Sequence, residues 1–136
     1  MGKRTKILLV DSNVDFVEKN RTFLENNGYD VVTAGCSADG LELAKLERPD
    51  LIILELMMEK HNAGLVCVEA LKSDPNLRHI PVLMLTGVAE ATGFRFSQEQ
   101  DGYWMKTDDF ADKPLLPEEL LTRIKQLLGK AGVDRR

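Results

Sequence analysis

Five polar residues stand where short apolar or strand-like segments end: Asp11 and Ser12 after Ile7–Val10, Glu55 after Leu51–Leu54, Thr86 after Val82–Leu85, and Lys113 after Phe110-Ala111-Asp112. Taken singly, a polar residue leaving a buried strand is a turn or a cap. Taken together, two carboxylates, two hydroxyls and an ammonium converge on the carboxyl ends of successive strands, where open parallel sheets bind their ligands. A carboxylate beside a lysine and a hydroxyl donor suits a phosphoryl or oxyanion site, because charge developing on oxygen must be met by fixed donors.

The elements that must position these groups follow from hydrophobic periodicity. Ile7–Val10, Leu51–Leu54 and Val82–Leu85 are continuous apolar runs, the pattern of strands buried on both faces. Val31–Ala34 and Phe110–Asp112 read as shorter strands. Between Asn13 and Asn26, Val14, Phe16, Val17, Phe23 and Leu24 recur at helical spacing, and Asn27-Gly28 ends that helix. Ser37 is placed to cap a second helix carrying Leu41, Leu43, Ala44 and Leu46, which Pro49 stops. A third helix carries Leu65, Val68 and Leu71; the last starts at Pro117, carries Leu120, Leu121, Ile124, Leu127 and Leu128, and ends at Gly129. Strands alternating with helices imply parallel pairing through right-handed crossovers, with helices on both faces of the sheet. From Val88 to Asp109 no helical period is sustained, and Phe94, Phe96, Tyr103 and Trp104 fall in that stretch either as an exposed surface or as a loop folded onto the domain.

Composition narrows the function classes. A chain of 136 residues with 43% hydrophobic residues fits one domain, and the expectation is a single core, a domain over 1–136 with its core at about 5–129, and no output domain. A formal net charge of -4 argues against direct binding of nucleic acid, which needs clustered Lys and Arg. Cys36, Cys67, His61 and His79 form no zinc-ligand spacing. The apolar run after the basic start is too short for a signal peptide or a membrane span, so a cytoplasmic protein with no membrane contact is expected.

From Lys6 to Leu128 the chain resembles the receiver domains of response regulators, the two-component signalling modules. The resemblance is carried by Ile7-Leu8-Leu9-Val10-Asp11, Pro49-Asp50-Leu51-Ile52-Ile53-Leu54, Met57-Met58, Thr86 and Lys113-Pro114. It implies a flavodoxin-like α/β fold, a doubly wound five-stranded parallel sheet in the order 2-1-3-4-5, with an irregular region around the fourth helix. It also implies that Asp11 lies in an acidic pocket for Mg²⁺, with Ser12 beside it and the Met57 backbone carbonyl as a further metal ligand. By the same resemblance Thr86 contacts the phosphoryl group, Lys113 pairs with it, Phe110 is the switch aromatic, and the Lys113-Pro114 bond is cis.

Two departures bear on function. Where the family carries the phosphate-accepting aspartate, this chain has Glu55. The added methylene moves the carboxylate outward by up to about 1.5 Å, and misplacement on that scale slows an alignment-dependent reaction on the order of 100-fold. Ser12 replaces a second metal-binding acid, which weakens the pocket for a hard cation. The loop Glu59-Lys60-His61-Asn62-Ala63-Gly64 also replaces the family's proline-containing turn.

The expectation is therefore a stand-alone, non-enzymatic receiver that binds a protein partner, a histidine kinase or an effector, without being phosphorylated. It would be a monomer or weak dimer, with no cofactor beyond weakly held Mg²⁺ at Asp11 and Glu55. Glu55 either imitates part of the phosphorylated state by reaching Lys113 and Thr86, or merely balances Lys113. The alternative is a working Mg²⁺-dependent phosphoacceptor. A flavin carrier of the same fold class is disfavoured, since the acid in Asp11-Ser12-Asn13-Val14 would repel a flavin phosphate.

Overall fold

The structure, a computed structural model, describes residues 4–58, 63–87 and 108–130. Its strands are β1 (Lys6–Val10), β2 (Asp30–Ala34), β3 (Leu51–Glu55), β4 (Val82–Thr86) and β5 (Asp109–Asp112). All pair in parallel in the order β2-β1-β3-β4-β5, the order expected from the sequence. The helices of the described residues are α1 (Val14–Asn26), α2 (Ser37–Glu47), α3 (Ala63–Ser73) and, after β5, α4 (Pro117–Lys130). The aromatic-bearing stretch and the loop before α3 fall largely outside the described residues.

Instead of the single core expected from chain length, alternating side chains of the central strands supply two, one on each face of the sheet. Leu8, Val10, Ile52, Leu54 and Met84 pack with Ala44 of α2 and Cys67, Val68 and Leu71 of α3. Ile7, Leu9, Leu51, Ile53, Leu83 and Leu85 pack with Val17 and Leu24 of α1 and with Leu120, Ile124, Leu127 and Leu128 of α4. Every residue of β3 and β4 is buried, including the polar Glu55 and Thr86 at their ends. Those two polar ends therefore need partners inside the protein.

Local signals set most boundaries. The Asn13 side chain accepts the Phe16 N–H at 3.0 Å and caps α1, and Gly28 leaves that helix at φ 96°. Several details differ from the sequence reading, among them Ala63 and Gly64, which belong to α3 and not to the loop before it. Cys36, extended and without a side-chain capping bond, is the N-cap of α2, and Ser37 is its first helical residue. Leu46 is 77% exposed, because α2 turns Gly40 and Ala44 toward the sheet, so close that a Cβ on Gly40 would lie 2.9 Å from Val10 Cγ2. Finally, α4 runs through Gly129 to Lys130.

At the amino ends of the strands a second polar cluster holds the frame together. Lys72 Nζ donates to the carbonyls of Arg78 and Ile80 at 3.2 and 2.9 Å and pairs with Asp108 at 2.9 Å. Asp108 also accepts the Val82 N–H at 2.7 Å, tying α3, β4 and the entry to β5. Among the described residues no helix is long and apolar enough to cross a membrane.

Candidate functional site

Parallel register brings the strand ends to one edge. Val10 is level with Ala34 and Leu54, Glu55 with Leu85, and Thr86 with Asp112. Backbone bonds continue past the strands: Asp11 N–H donates to Ala34 O at 3.0 Å, Leu56 N–H to Leu85 O at 3.0 Å, and Lys113 N–H to Thr86 O at 2.8 Å. These bonds fix the chain at Asp11, Glu55 and Lys113 before any side chain acts.

The side chains then close on one another. Lys113 Nζ lies 2.7 Å from Asp11 Oδ2 and 2.9 Å from Glu55 Oε1. The remaining oxygens are engaged as well, since Asp11 Oδ1 accepts the Asn13 N–H at 2.9 Å and Glu55 Oε2 accepts the Met57 N–H at 3.1 Å. Asp11 and Glu55 are 4% and 5% exposed, so this is a buried triad of two carboxylates and one ammonium. On a further side of the ammonium lies the Phe16 ring, its centroid 4.0 Å from Nζ.

Burial alone would push the Lys113 ammonium toward its neutral form. The hydrogen bond to Asp11, then the field and hydrogen bond of Glu55, outweigh it and hold the group above the usual lysine value. Lys113 is thus a fixed positive charge between two acids, able to neutralise oxygen anions at this spot.

Of the residues singled out from sequence, Asp11, Glu55 and Lys113 meet directly. Thr86 ends β4 on the same edge and is 1% exposed. Ser12 is exposed and lines, with Asp11, Val14 and Val17, a shallow cavity of about 250 Å³ beside the triad. Phe110 is buried in the core shared with α2 and α3. The Lys113-Pro114 peptide bond is cis. A larger hollow, about 550 Å³, lies against β5 and α4 around Asp108, Asp109 and Arg123, and none of the triad residues lines it.

Phe16 and Gly64 escaped the sequence reading. Phe16 counted there as a core residue of α1, although its place in the first turn, just beyond Asp11, was a signal that it borders the site. Gly64 lies so near β3 that a Cβ there would stand 2.5 Å from Glu55 O and 2.6 Å from Leu56 Cα. Its own N–H donates to Leu56 O at 2.7 Å. Only a glycine lets the first turn of α3 press on the backbone that carries Glu55.

The donor set suits Mg²⁺ poorly. That ion demands a near-octahedral shell of oxygens. Here two carboxylates and the Met57 backbone carbonyl are the expected donors, all four carboxylate oxygens already face an N–H or an ammonium, and the neighbouring position is the neutral Ser12. Among the described residues no group of three His, Cys, Asp or Glu is gathered to hold a metal ion.

Comparison with known proteins agrees with this architecture. The family model described as "Response regulator receiver domain" matches residues 7–125. The DNA-binding dual master transcriptional regulator RpaA of Synechocystis is 35% identical over 125 residues, covering 92% of this chain and 49% of its own length. The alkaline phosphatase synthesis transcriptional regulatory protein PhoP of Bacillus subtilis is 34% identical over 128 residues, covering 94% and 50%. The chain thus spans about half the length of these curated relatives. Among solved structures, the chemotaxis response regulator CheY4 of Vibrio cholerae superposes with a TM-score of 0.79 at 27% identity, covering 92% of this chain and 99% of that one. With the parallel strand order in place and the family model matched over residues 7–125, this chain belongs to the response regulator receiver domains, the signalling modules of two-component systems.

Proposed function

We propose that this chain is a receiver in which Glu55 occupies the phosphoacceptor position and which docks on a protein partner without being phosphorylated. One observation carries the reading: Lys113, the group that pairs with the phosphoryl oxygens in the family scheme, is already held by Glu55 Oε1 at 2.9 Å and Asp11 Oδ2 at 2.7 Å. A phosphoryl group entering here would have to displace a carboxylate from a buried ammonium, at a site that suits Mg²⁺ poorly.

In this role Glu55 is an incomplete imitation of the phosphorylated state. Its carboxylate brings one charge and two oxygens, against about two charges and three acceptor oxygens for a phosphoryl group. In this reading Thr86 and Phe110 sense the charge at Glu55, Mg²⁺ binds weakly, and the partner is a histidine kinase or an effector protein. Its cellular place is the cytoplasm.

The test is incubation of the purified chain with a small-molecule phosphodonor and Mg²⁺, followed by intact-mass measurement. An unchanged mass is expected. Stoichiometric gain of a phosphoryl group would establish instead a working Mg²⁺-dependent phosphoacceptor.

A further inference from the structure

The first turn of α1 is tied to the triad at both of its ends. Asn13 donates its N–H to Asp11 Oδ1 at 2.9 Å and accepts the Phe16 N–H on its side-chain oxygen at 3.0 Å. Phe16 is therefore not free to drift relative to Asp11. Its ring is half-buried and lies under Lys113, centroid to Nζ 4.0 Å, well inside the range of a cation–π contact.

A lysine ammonium carries three N–H donors and no acceptor. Asp11 and Glu55 take two directions, and the ring covers another with the negative face of its π system. An aliphatic side chain of similar bulk would fill the space but leave that side of the ammonium for water.

We infer that Phe16 is a positioning residue, whose ring pins Lys113 in its contacts with Asp11 and Glu55 and so keeps the site closed. The inference deepens the reading above and rests on it in one respect, that Lys113 is the readout group. With the ring in place, moving Lys113 toward any incoming oxyanion means breaking three contacts together. Without it, two ion pairs remain, and the stem regains freedom on the α1 side.

The experiment follows the Lys113 Nζ–H protons by NMR in the full ¹⁵N-labelled chain at one fixed pH, without phosphodonor. Their exchange with water should quicken about 2- to 5-fold in Phe16→Leu, the range expected for loss of one partly exposed cation–π contact. Phe16→Tyr keeps the π face and should exchange like the parent, while Phe16→Met, which keeps bulk alone, should follow Phe16→Leu and stands in for it should that variant not fold. Parent-like exchange in both aliphatic variants, or equal quickening in Phe16→Tyr, overturns the inference and leaves Phe16 a packing residue. Phosphorylation of the parent chain combined with the expected Phe16 pattern would overturn the functional reading while leaving the positioning role standing.

Discussion

Lys113→Met keeps an unbranched stem of similar length and deletes the ammonium that Asp11 and Glu55 share. Both carboxylates are about 95% buried, so water cannot replace the lost partner. One oxygen of each now lies on a single nitrogen, at 2.7 and 2.9 Å, so that without it the two carboxylates would face each other at about 5 Å. At an effective dielectric of about 20, two unit charges about 5 Å apart repel by about 3 kcal/mol. Removing one partner of a buried ion pair costs about 3–5 kcal/mol by a second route. The two figures describe one effect, and the variant should be about 3–5 kcal/mol less stable near pH 7. In urea, with a slope of about 2 kcal/mol per M, the midpoint should fall by about 2 M without a change in slope. Adding Glu55→Gln should recover part of the loss, because one unpaired carboxylate then remains instead of two. A Lys113→Met chain within about 1 kcal/mol of the parent, the range of exposed pairs, would refute the buried triad. So would a Glu55→Gln substitution that deepens the loss.

Three further outcomes are expected. Glu55→Asp alone should leave phosphotransfer from a small-molecule donor nearly undetectable, whereas Ser12→Asp with Glu55→Asp should raise the Mg²⁺-dependent rate about 100-fold or more, read by intact mass against time. Because Lys113 is held above 10.5 in the folded chain, its contribution to stability is complete below the unfolded value and is lost as pH rises through the folded one; urea melts above about pH 10.5 should therefore weaken the parent more than Lys113→Met. Gly64→Ala should destabilise by about 1–3 kcal/mol, since its Cβ would stand 2.5 Å from the Glu55 carbonyl oxygen and the helix start must move, as the same melts would show.

The sheet was legible because strands buried on both faces must be apolar throughout. Ile7–Val10, Leu51–Leu54 and Val82–Leu85 could not be solvent-facing, and their parallel pairing placed Asp11, Glu55, Thr86 and Lys113 on one edge. What escaped was decided by three-dimensional neighbours. Leu46 looked like a core residue until Gly40 and Ala44 took the sheet side of α2. The Lys72–Asp108 tie spans 36 residues and joins loop carbonyls that carry no sequence signature. Phe16 fitted the apolar period of α1 equally well as a core ring or as a cover for Lys113, and only the bend between β1 and α1 distinguishes the two. Gly64 read as the last residue of a loop, its constraint coming from a β3 carbonyl nine residues earlier.

The most direct test reads two signals from one sample, the intact mass and the Lys113 ammonium resonance, before and after adding a small-molecule phosphodonor with Mg²⁺. If Glu55 already fills the place of the phosphoryl group, neither signal moves. A gain of one phosphoryl mass together with a displaced Lys113 resonance would show the lysine transferring its contact from Glu55 to phosphate, and would contradict the account.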